Sequence, residues 1–210
     1  MKYLLLIIAF FTLASPAYAV TYATWDSSNC DASMVLSGGS LVITKSGSAW
    51  KGCRGTLNKT TGKWYWEILA GTFGGTGQRS GIGNSSSLLT GLDDSFNSLL
   101  YDRLTGDGIK DGAVPWTGTS YTVGDTVGYA LDADADTFKI YKNNTLQGTF
   151  TTITTNGNFP YMATFDNGDV VTANFGATAL TYAPPAGYCA GLADVCPTDV
   201  VFQLWPFSLF

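Results

Sequence analysis

The segment from Tyr121 to Phe150 constrains the fold more than any other part of the chain. Apolar side chains alternate with small or polar ones in two short runs, at Val127, Tyr129 and Leu131 and then at Phe138 and Ile140. A period of two is typical of strands with one buried face. Pairing Leu131 with Phe138 puts Tyr129 opposite Ile140 on one face and leaves 132–137 as the connection. The segment therefore predicts two antiparallel strands in a defined register.

The pair Asn143-Asn144 follows the second of these strands. Asn tolerates positive φ better than most residues, so the pair suits a two-residue type I′ turn. We expect a third strand from Leu146 to Phe150, which makes the segment a three-stranded meander.

The rest of the chain also favours an all-β fold with minimal helix. Aromatic residues reach 14%, and 25 glycines divide the sequence into short segments without a sustained helical period. We predict a hairpin of Met34–Leu36 and Leu41–Ile43, strands at Trp50–Leu57, Trp64–Ala70, Gly81–Gly83, Ser98–Tyr101, Phe159–Phe165 and Val170–Phe175, one helical turn within Leu88–Phe96, and a long polar loop at Asp107–Thr119.

The first nineteen residues are typical of a secretory signal peptide. A basic Lys2 precedes the apolar run Leu4–Leu13, and the segment ends with the A-x-A motif at Ala17–Ala19. We expect cleavage after Ala19 and a secreted or periplasmic protein. The alternative, an uncleaved leader that anchors the chain in a membrane, is disfavoured because no second basic flank follows.

The charge balance argues against nucleic acid as a partner. The chain carries 11 basic and 16 acidic residues and has no basic cluster, which phosphate binding requires. The absence of histidine excludes Ser-His-Asp and Cys-His catalysis, so we expect no enzymatic activity and no cofactor. Asp132, Asp134 and Asp136 alternate as in a calcium loop, but Thr137 stands where an EF-hand needs Gly. We interpret them as a solvated turn and expect no metal site.

Four cysteines in an exported chain favour disulfides. Of the three possible pairings we favour Cys30 with Cys53 and Cys189 with Cys196. Zinc is disfavoured by the spacing and by the lack of His.

Glu67 is the only glutamate of the chain. A turn centred between Thr60 and Thr61 would place Arg54 opposite Glu67 on paired strands, which predicts a partly buried ion pair. The alternative, a catalytic acid, lacks the second carboxylate that sugar hydrolysis needs.

The last residues, 200–210, are strongly apolar within a predicted C-terminal tail of 189–210. Three interpretations remain open for them: an added edge strand, an apolar patch for a partner, and a membrane-directed strand.

Several motifs together resemble the SPRY (B30.2) family. They are Thr61–Glu67, Gly81–Gly83, Gly124-Asp125, Val127-Gly128, Leu131-Asp132, Phe138, Tyr141–Asn143, Gly148, Asn174–Gly176 and Tyr182–Tyr188, in the order of that family. The chain looks like a secreted, single-domain member of bacterial or phage type. The resemblance implies a concanavalin-like jelly-roll β-sandwich over 20–188 that acts as a binding module without chemistry of its own.

The resemblance also suggests ligand-contacting residues on loops at one edge of the sandwich. Phe175 and Gly176 correspond by motif order, whereas Arg79 and Tyr101 are chosen by loop location. Trp116 lies in the predicted long loop and is either a lid on the core or an exposed anchor.

The favoured ligand is a protein or peptide, and a glycan is also considered. A lectin-like carbohydrate binder and a jelly-roll glycoside hydrolase are the alternatives. Trp25, Trp50 and Trp116 separate them, because exposure of all three on one face favours sugar stacking and burial favours a protein-binding or structural module. The oligomeric state stays open.

Overall fold

A computed structural model describes residues 19–75, 77–91, 98–153 and 158–197. It contains fifteen strands: β1 Trp25–Cys30, β2 Met34–Ser37, β3 Val42–Lys45, β4 Lys51–Gly55, β5 Lys63–Ala70, β6 Gln78–Gly83, β7 Ser98–Asp102, β8 Asp107–Lys110, β9 Ala113–Thr117, β10 Thr126–Asp132, β11 Thr137–Lys142, β12 Thr145–Thr151, β13 Phe159–Thr164, β14 Val170–Asn174 and β15 Cys189–Ala190. These described ranges hold no α-helix, and so none that would traverse a bilayer.

The strands form two sheets. The first has the order β1-β4-β13-β6-β7-β8-β9, and the second has the order β12-β11-β10-β5-β14-β3-β2, with the short β15 added parallel to β5. All other pairings are antiparallel, and one apolar cluster spans both sheets. The predicted all-β sandwich is confirmed.

The predicted meander has the expected register. Leu131 pairs with Phe138 and Tyr129 with Ile140 across β10 and β11. At the next turn φ is 46° for Asn143 and 65° for Asn144, as a type I′ turn requires. The third strand, β12, pairs with β11 around one irregularity.

The inner face of the second sheet carries an aromatic stack. Trp66 lies 5.5 Å from Tyr129 between ring centroids, Tyr129 lies 5.9 Å from Phe138, and Phe138 lies 6.2 Å from Phe150. All four rings are buried. Such pairs add to the free energy gained by burying their area, so the stack fixes β5, β10, β11 and β12 against one another.

The expected pairing of Arg54 with Glu67 is wrong, because their strands lie in different sheets. Arg54 on β4 pairs with Tyr161 of β13, whereas Glu67 on β5 pairs with Gly128 and Asn174. The chain between them crosses from one sheet to the other instead of closing a hairpin.

The segment Asp107–Thr119 is not a polar loop but forms the hairpin of β8 and β9 with one irregularity in its register. Pro115 within β9 concealed this strand, since Pro is confined to edge strands and β9 lies at the edge of its sheet. Of the helical turn expected within Leu88–Phe96, residues 88–91 are non-helical and the others lie outside the described residues.

The structure joins Cys30 to Cys53 and Cys189 to Cys196, which are the favoured pairings. Cys30 and Cys53 face each other across β1 and β4. The predicted signal peptide, except Ala19, and the tail beyond residue 197 lie outside the described residues.

Glu67 anchors the C-terminal segment to the outer face of the second sheet. Its carboxylate accepts hydrogen bonds from the backbone N–H of Thr181 at 2.7 Å and of Tyr182 at 2.8 Å, and from the hydroxyl of Tyr65 at 3.2 Å. Glu67 is only 1% exposed. The carboxylate therefore binds two backbone amides and a tyrosine hydroxyl instead of Arg54.

Glu67→Ala is expected to lower the free energy of unfolding by about 2 kcal/mol, because two partly buried amides lose a charged acceptor. Glu67→Gln keeps one acceptor and is expected to cost about 1 kcal/mol. Urea denaturation followed by tryptophan fluorescence measures both. Leu69→Ala, on the same strand at a position 45% exposed, is the control. A Glu67→Ala variant as stable as the parent would contradict the anchoring role.

Candidate functional site

Four strands of the first sheet begin or end at the same place. Thr164, the last residue of β13, pairs with both Lys51 and Gln78, the first residues of β4 and β6. Arg79 pairs with Asp102, the last residue of β7. The loops attached to these strands therefore meet at one end of the sandwich, which we call the Trp50 end.

Aromatic and aliphatic side chains meet a cation at this end. Trp50 and Phe165 form an edge-to-face pair with centroids 5.9 Å apart, and both are half-buried. The guanidinium carbon of Arg79 lies 5.6 Å from the Trp50 ring. A β-carbon on Gly77 would lie 3.0 Å from Trp50 and 3.8 Å from Leu104, which is 48% exposed. We call Trp50, Phe165, Arg79 and Leu104 the Trp50 surface.

Asp102 holds the Trp50 surface in place. Its carboxylate accepts a 2.7 Å hydrogen bond from Nε of Arg79, and the other oxygen accepts bonds from the backbone N–H of Leu104 and Thr105. The side chains of Arg79 and Asp102 are only 18% and 9% exposed. The ion pair thus fixes Arg79 over Trp50 and sets the loop that presents Leu104.

A second arginine follows directly on Asp102. Arg103 is buried, its guanidinium carbon lies 4.4 Å from the ring centroid of Phe73, and Nη2 donates to the carbonyl of Gly75 at 3.2 Å. Its Nε is buried and has no hydrogen-bond partner among the described residues.

Tyr101 and Trp116, which sequence reasoning proposed as ligand contacts, pack together at 5.7 Å between centroids. Tyr101 is fully buried and donates its hydroxyl to the carbonyl of Thr119. Burial raises the pKa of the Tyr101 hydroxyl to about 12. Trp116 is half-buried and also contacts Phe150, 5.2 Å away. It closes the side of the core between the neighbouring edge strands β9 and β12. Of the two interpretations offered for Trp116, a lid on the core therefore fits its position better than an exposed anchor.

Phe175 and Gly176 lie at the opposite end of the sandwich, because β14 runs away from the Trp50 end. Phe175 is 1% exposed and packs edge-to-face on Trp25 at 5.5 Å. Gly176 lines a groove of about 580 Å³, whose other lining residues include Tyr22, Leu180 and Tyr182. The five residues chosen from the sequence thus occupy three separate places, and Arg79 is the one that belongs to the Trp50 surface.

Sequence reasoning did not assign Phe165 or Leu104, and it singled out Trp50 only as a tryptophan to be located. These residues flank strands that are distant in sequence. Their one local signal is that each large apolar side chain stands at the boundary between a strand pattern and a polar or Gly-rich segment.

The alternating aspartates have protein partners. Asp132 forms a 3.0 Å ion pair with Lys63, and Asp134 accepts the backbone N–H of Gly62. Within the described ranges, no group of three or more His, Cys, Asp or Glu residues is arranged to hold a metal ion.

The two facing sheets define an antiparallel β-sandwich. The family described as the SPRY domain matches residues 63–178, which is more than half of the chain, and the chain belongs to this family. SPRY domains are generally protein-interaction modules rather than enzymes.

Solved structures share the fold. The SPRY domain of human HERC1 superposes with a TM-score of 0.64 at 18% identity, covering 71% of this chain and 96% of that one. The TRIM65 PSpry domain gives a TM-score of 0.60 at 15% identity, covering 73% and 92%. A search of curated proteins found no significant match.

Asp102→Asn is expected to lower the free energy of unfolding by about 2 kcal/mol, because the half-buried Nε of Arg79 loses the carboxylate that it binds. Urea denaturation measures the change. Asp136→Asn is the control: it is the same substitution in an exposed turn where φ is 54°, a conformation that Asn tolerates. Equal effects of the two substitutions would show that the Arg79 pair adds nothing to stability.

Proposed function

We propose that this protein is an exported, non-enzymatic SPRY module that binds a protein or peptide through the Trp50 surface. The observation that carries the proposal is the half-buried pair of Trp50 and Phe165 beside Arg79 and the exposed Leu104. Tryptophan and arginine are the residues that most often dominate binding energy, and large aromatic rings supply contact area at low entropic cost.

The organisation of the Trp50 surface supports this location. Arg79 is held by Asp102, and the same carboxylate fixes the backbone that carries Leu104. A surface whose side chains are ordered before binding loses less conformational entropy when a partner arrives. The groove at Gly176, by contrast, is lined largely by small residues and backbone, among them Ala177, Ala179 and Ala183.

A lectin-like function is less well supported. Sugar binding by stacking would favour Trp25, Trp50 and Trp116 exposed on one face, but Trp25 is buried and Trp116 covers the core. A glycoside hydrolase is less well supported still, because Glu67 is occupied by two backbone amides and a tyrosine hydroxyl.

Export is proposed from the leader at 1–19 and from the two disulfides, which persist in oxidising compartments. When the full chain is expressed in a bacterial host with an intact secretion system, we expect the soluble exported protein to begin at Val20. Intact-mass spectrometry of the periplasmic and membrane fractions tests this. A chain that keeps residues 1–19 and stays in the membrane fraction would contradict it.

The binding proposal is tested by probing residues 20–210 on peptide and glycan arrays and then titrating the strongest hits by fluorescence polarisation. Trp50→Ala is expected to weaken peptide binding by about tenfold or more, because truncating a central aromatic anchor commonly costs at least 1.4 kcal/mol. Leu180→Ser, in the groove at the opposite end, is expected to leave the affinity unchanged. Loss of binding in Leu180→Ser but not in Trp50→Ala would move the site to the groove, and glycan hits alone would favour the lectin.

A further inference from the structure

The three arginines of the chain differ in how their charge is satisfied. Arg79 is paired with the carboxylate of Asp102. Arg54 donates to the carbonyl of Asn84 and to the side-chain amide oxygen of Asn29. Within the part of the chain that the structure describes, Arg103 contacts the carbonyl of Gly75 and the ring face of Phe73 and forms no ion pair.

Arg103 is buried as deeply as Arg54, with exposures of 8% and 9%. Its Nε–H has no acceptor, and no carboxylate of the described residues lies within 4.0 Å of its guanidinium. A guanidinium removed from water without a countercharge is costly, and an unsatisfied buried donor calls for an explanation. The group that fits the fork of Nε and Nη2 is a planar carboxylate bound through both oxygens.

On the side of its Nη2, Arg103 contacts the backbone of Gly75, a residue without a side chain. Gly75 is exposed, its φ is 126°, and a β-carbon there would meet nothing within 4 Å. The Gly75 carbonyl is a neutral acceptor at 3.2 Å, which a charged acceptor would outcompete. The neighbouring Asp169 is already engaged, because it accepts the backbone N–H of Gly74 and the hydroxyl of Thr164.

Arg103 also adjoins the Trp50 surface. The next residue is the exposed Leu104, which together with Trp50 flanks Gly77. The Gly75 carbonyl that accepts from Arg103 stands two residues before Gly77, so a ligand on Leu104 and Trp50 would lie beside the backbone that covers the Arg103 guanidinium.

We propose that Arg103 is the specificity-determining residue of the binding surface and selects peptides in which a carboxylate adjoins an apolar side chain. This inference rests on the proposed function and names its ligand class. The chain has a net charge of −5, so long-range attraction does not favour acidic partners, and the selection comes from direct contact with the guanidinium.

The test uses hexapeptide pools with acetylated and amidated ends, in which one central position is Asp, Glu, Asn or Gln and the neighbouring positions are apolar. A further pool is neutral but has a free C-terminus, which separates a side-chain carboxylate from a terminal one. Binding to residues 20–210 is measured by fluorescence polarisation. We expect a carboxylate pool to bind about tenfold tighter than its amide counterpart, in line with the greater strength of charge-assisted hydrogen bonds.

Arg103→Lys is expected to reduce this preference to about twofold or less, since Lys keeps the charge but loses the fork. Arg54→Lys, an equally buried arginine with satisfied donors, is the matched control and should keep the preference. Nitrogen-15 NMR of the wild-type protein gives a readout that does not depend on any variant folding. The Arg103 Nε–Hε resonance should shift with the carboxylate peptide and stay in place with the amide peptide.

Equal binding of carboxylate and amide pools, or an unchanged Arg103 resonance, would overturn the inference. If Trp50→Ala still abolished binding in that case, the proposed function would stand without it. If no pool bound the wild-type protein at millimolar concentration, both the inference and the peptide-binding proposal would fail.

Discussion

The two layers of this protein depend on the central strand β5, which is used on both faces. Inward, Trp66 begins the aromatic stack that continues through Tyr129 and Phe138. Outward, Glu67 holds the backbone of Thr181 and Tyr182. A period-two strand normally has a dry face and a wet face. Here the outer face of β5 is also covered, by the segment that contains Thr181 and Tyr182. β5 therefore holds both the core and this C-terminal segment.

This double use of β5 explains a glycine on the neighbouring strand. Gly128 lies opposite Glu67, and a β-carbon there would come within 2.3 Å of the Tyr65 hydroxyl. The Tyr65 ring therefore lies across β10 on the outer face, where it reaches Glu67. Val127 and Tyr129, on either side of the glycine, keep the inner face apolar. The Gly-aromatic alternation of this strand thus encodes its two different faces.

Short-range features could be predicted from the sequence because local chemistry determines them. The β10–β11 register follows from apolar alternation and turn length, and the turn at Asn143-Asn144 follows from tolerance of positive φ. The placement of β4 and β5 in different sheets could not be predicted in this way. Successive strands often pair, but here the chain crosses from one sheet to the other. The sequence near Thr60 contains no pattern that predicts this crossing.

The candidate site was largely hidden for the same reason. Trp50, Phe165 and Leu104 come together only because β4, β6, β7 and β13 share one end of a sheet, and that arrangement joins residues more than 100 positions apart. Tyr101 and Phe175 end two predicted strands and were expected to contact a ligand, but both side chains turn inward and are buried. Arg79 was chosen as a loop residue but lies near the start of β6, and its partner Asp102 required the register of β6 and β7.

Arg79 and Arg103, the two arginines at the Trp50 end, differ in role: Arg79 stabilises the surface, and Arg103 is the one proposed to bind the ligand. Arg79 is neutralised within the chain, so its contribution is to order Trp50 and the loop at Leu104. Arg103 is buried without an ion-pair partner among the described residues, and its guanidinium lies on the face of Phe73. An internal ion pair stabilises geometry but leaves little charge to offer a ligand. An arginine held by an aromatic ring keeps its charge available, because a cation–π contact orients the guanidinium without neutralising it.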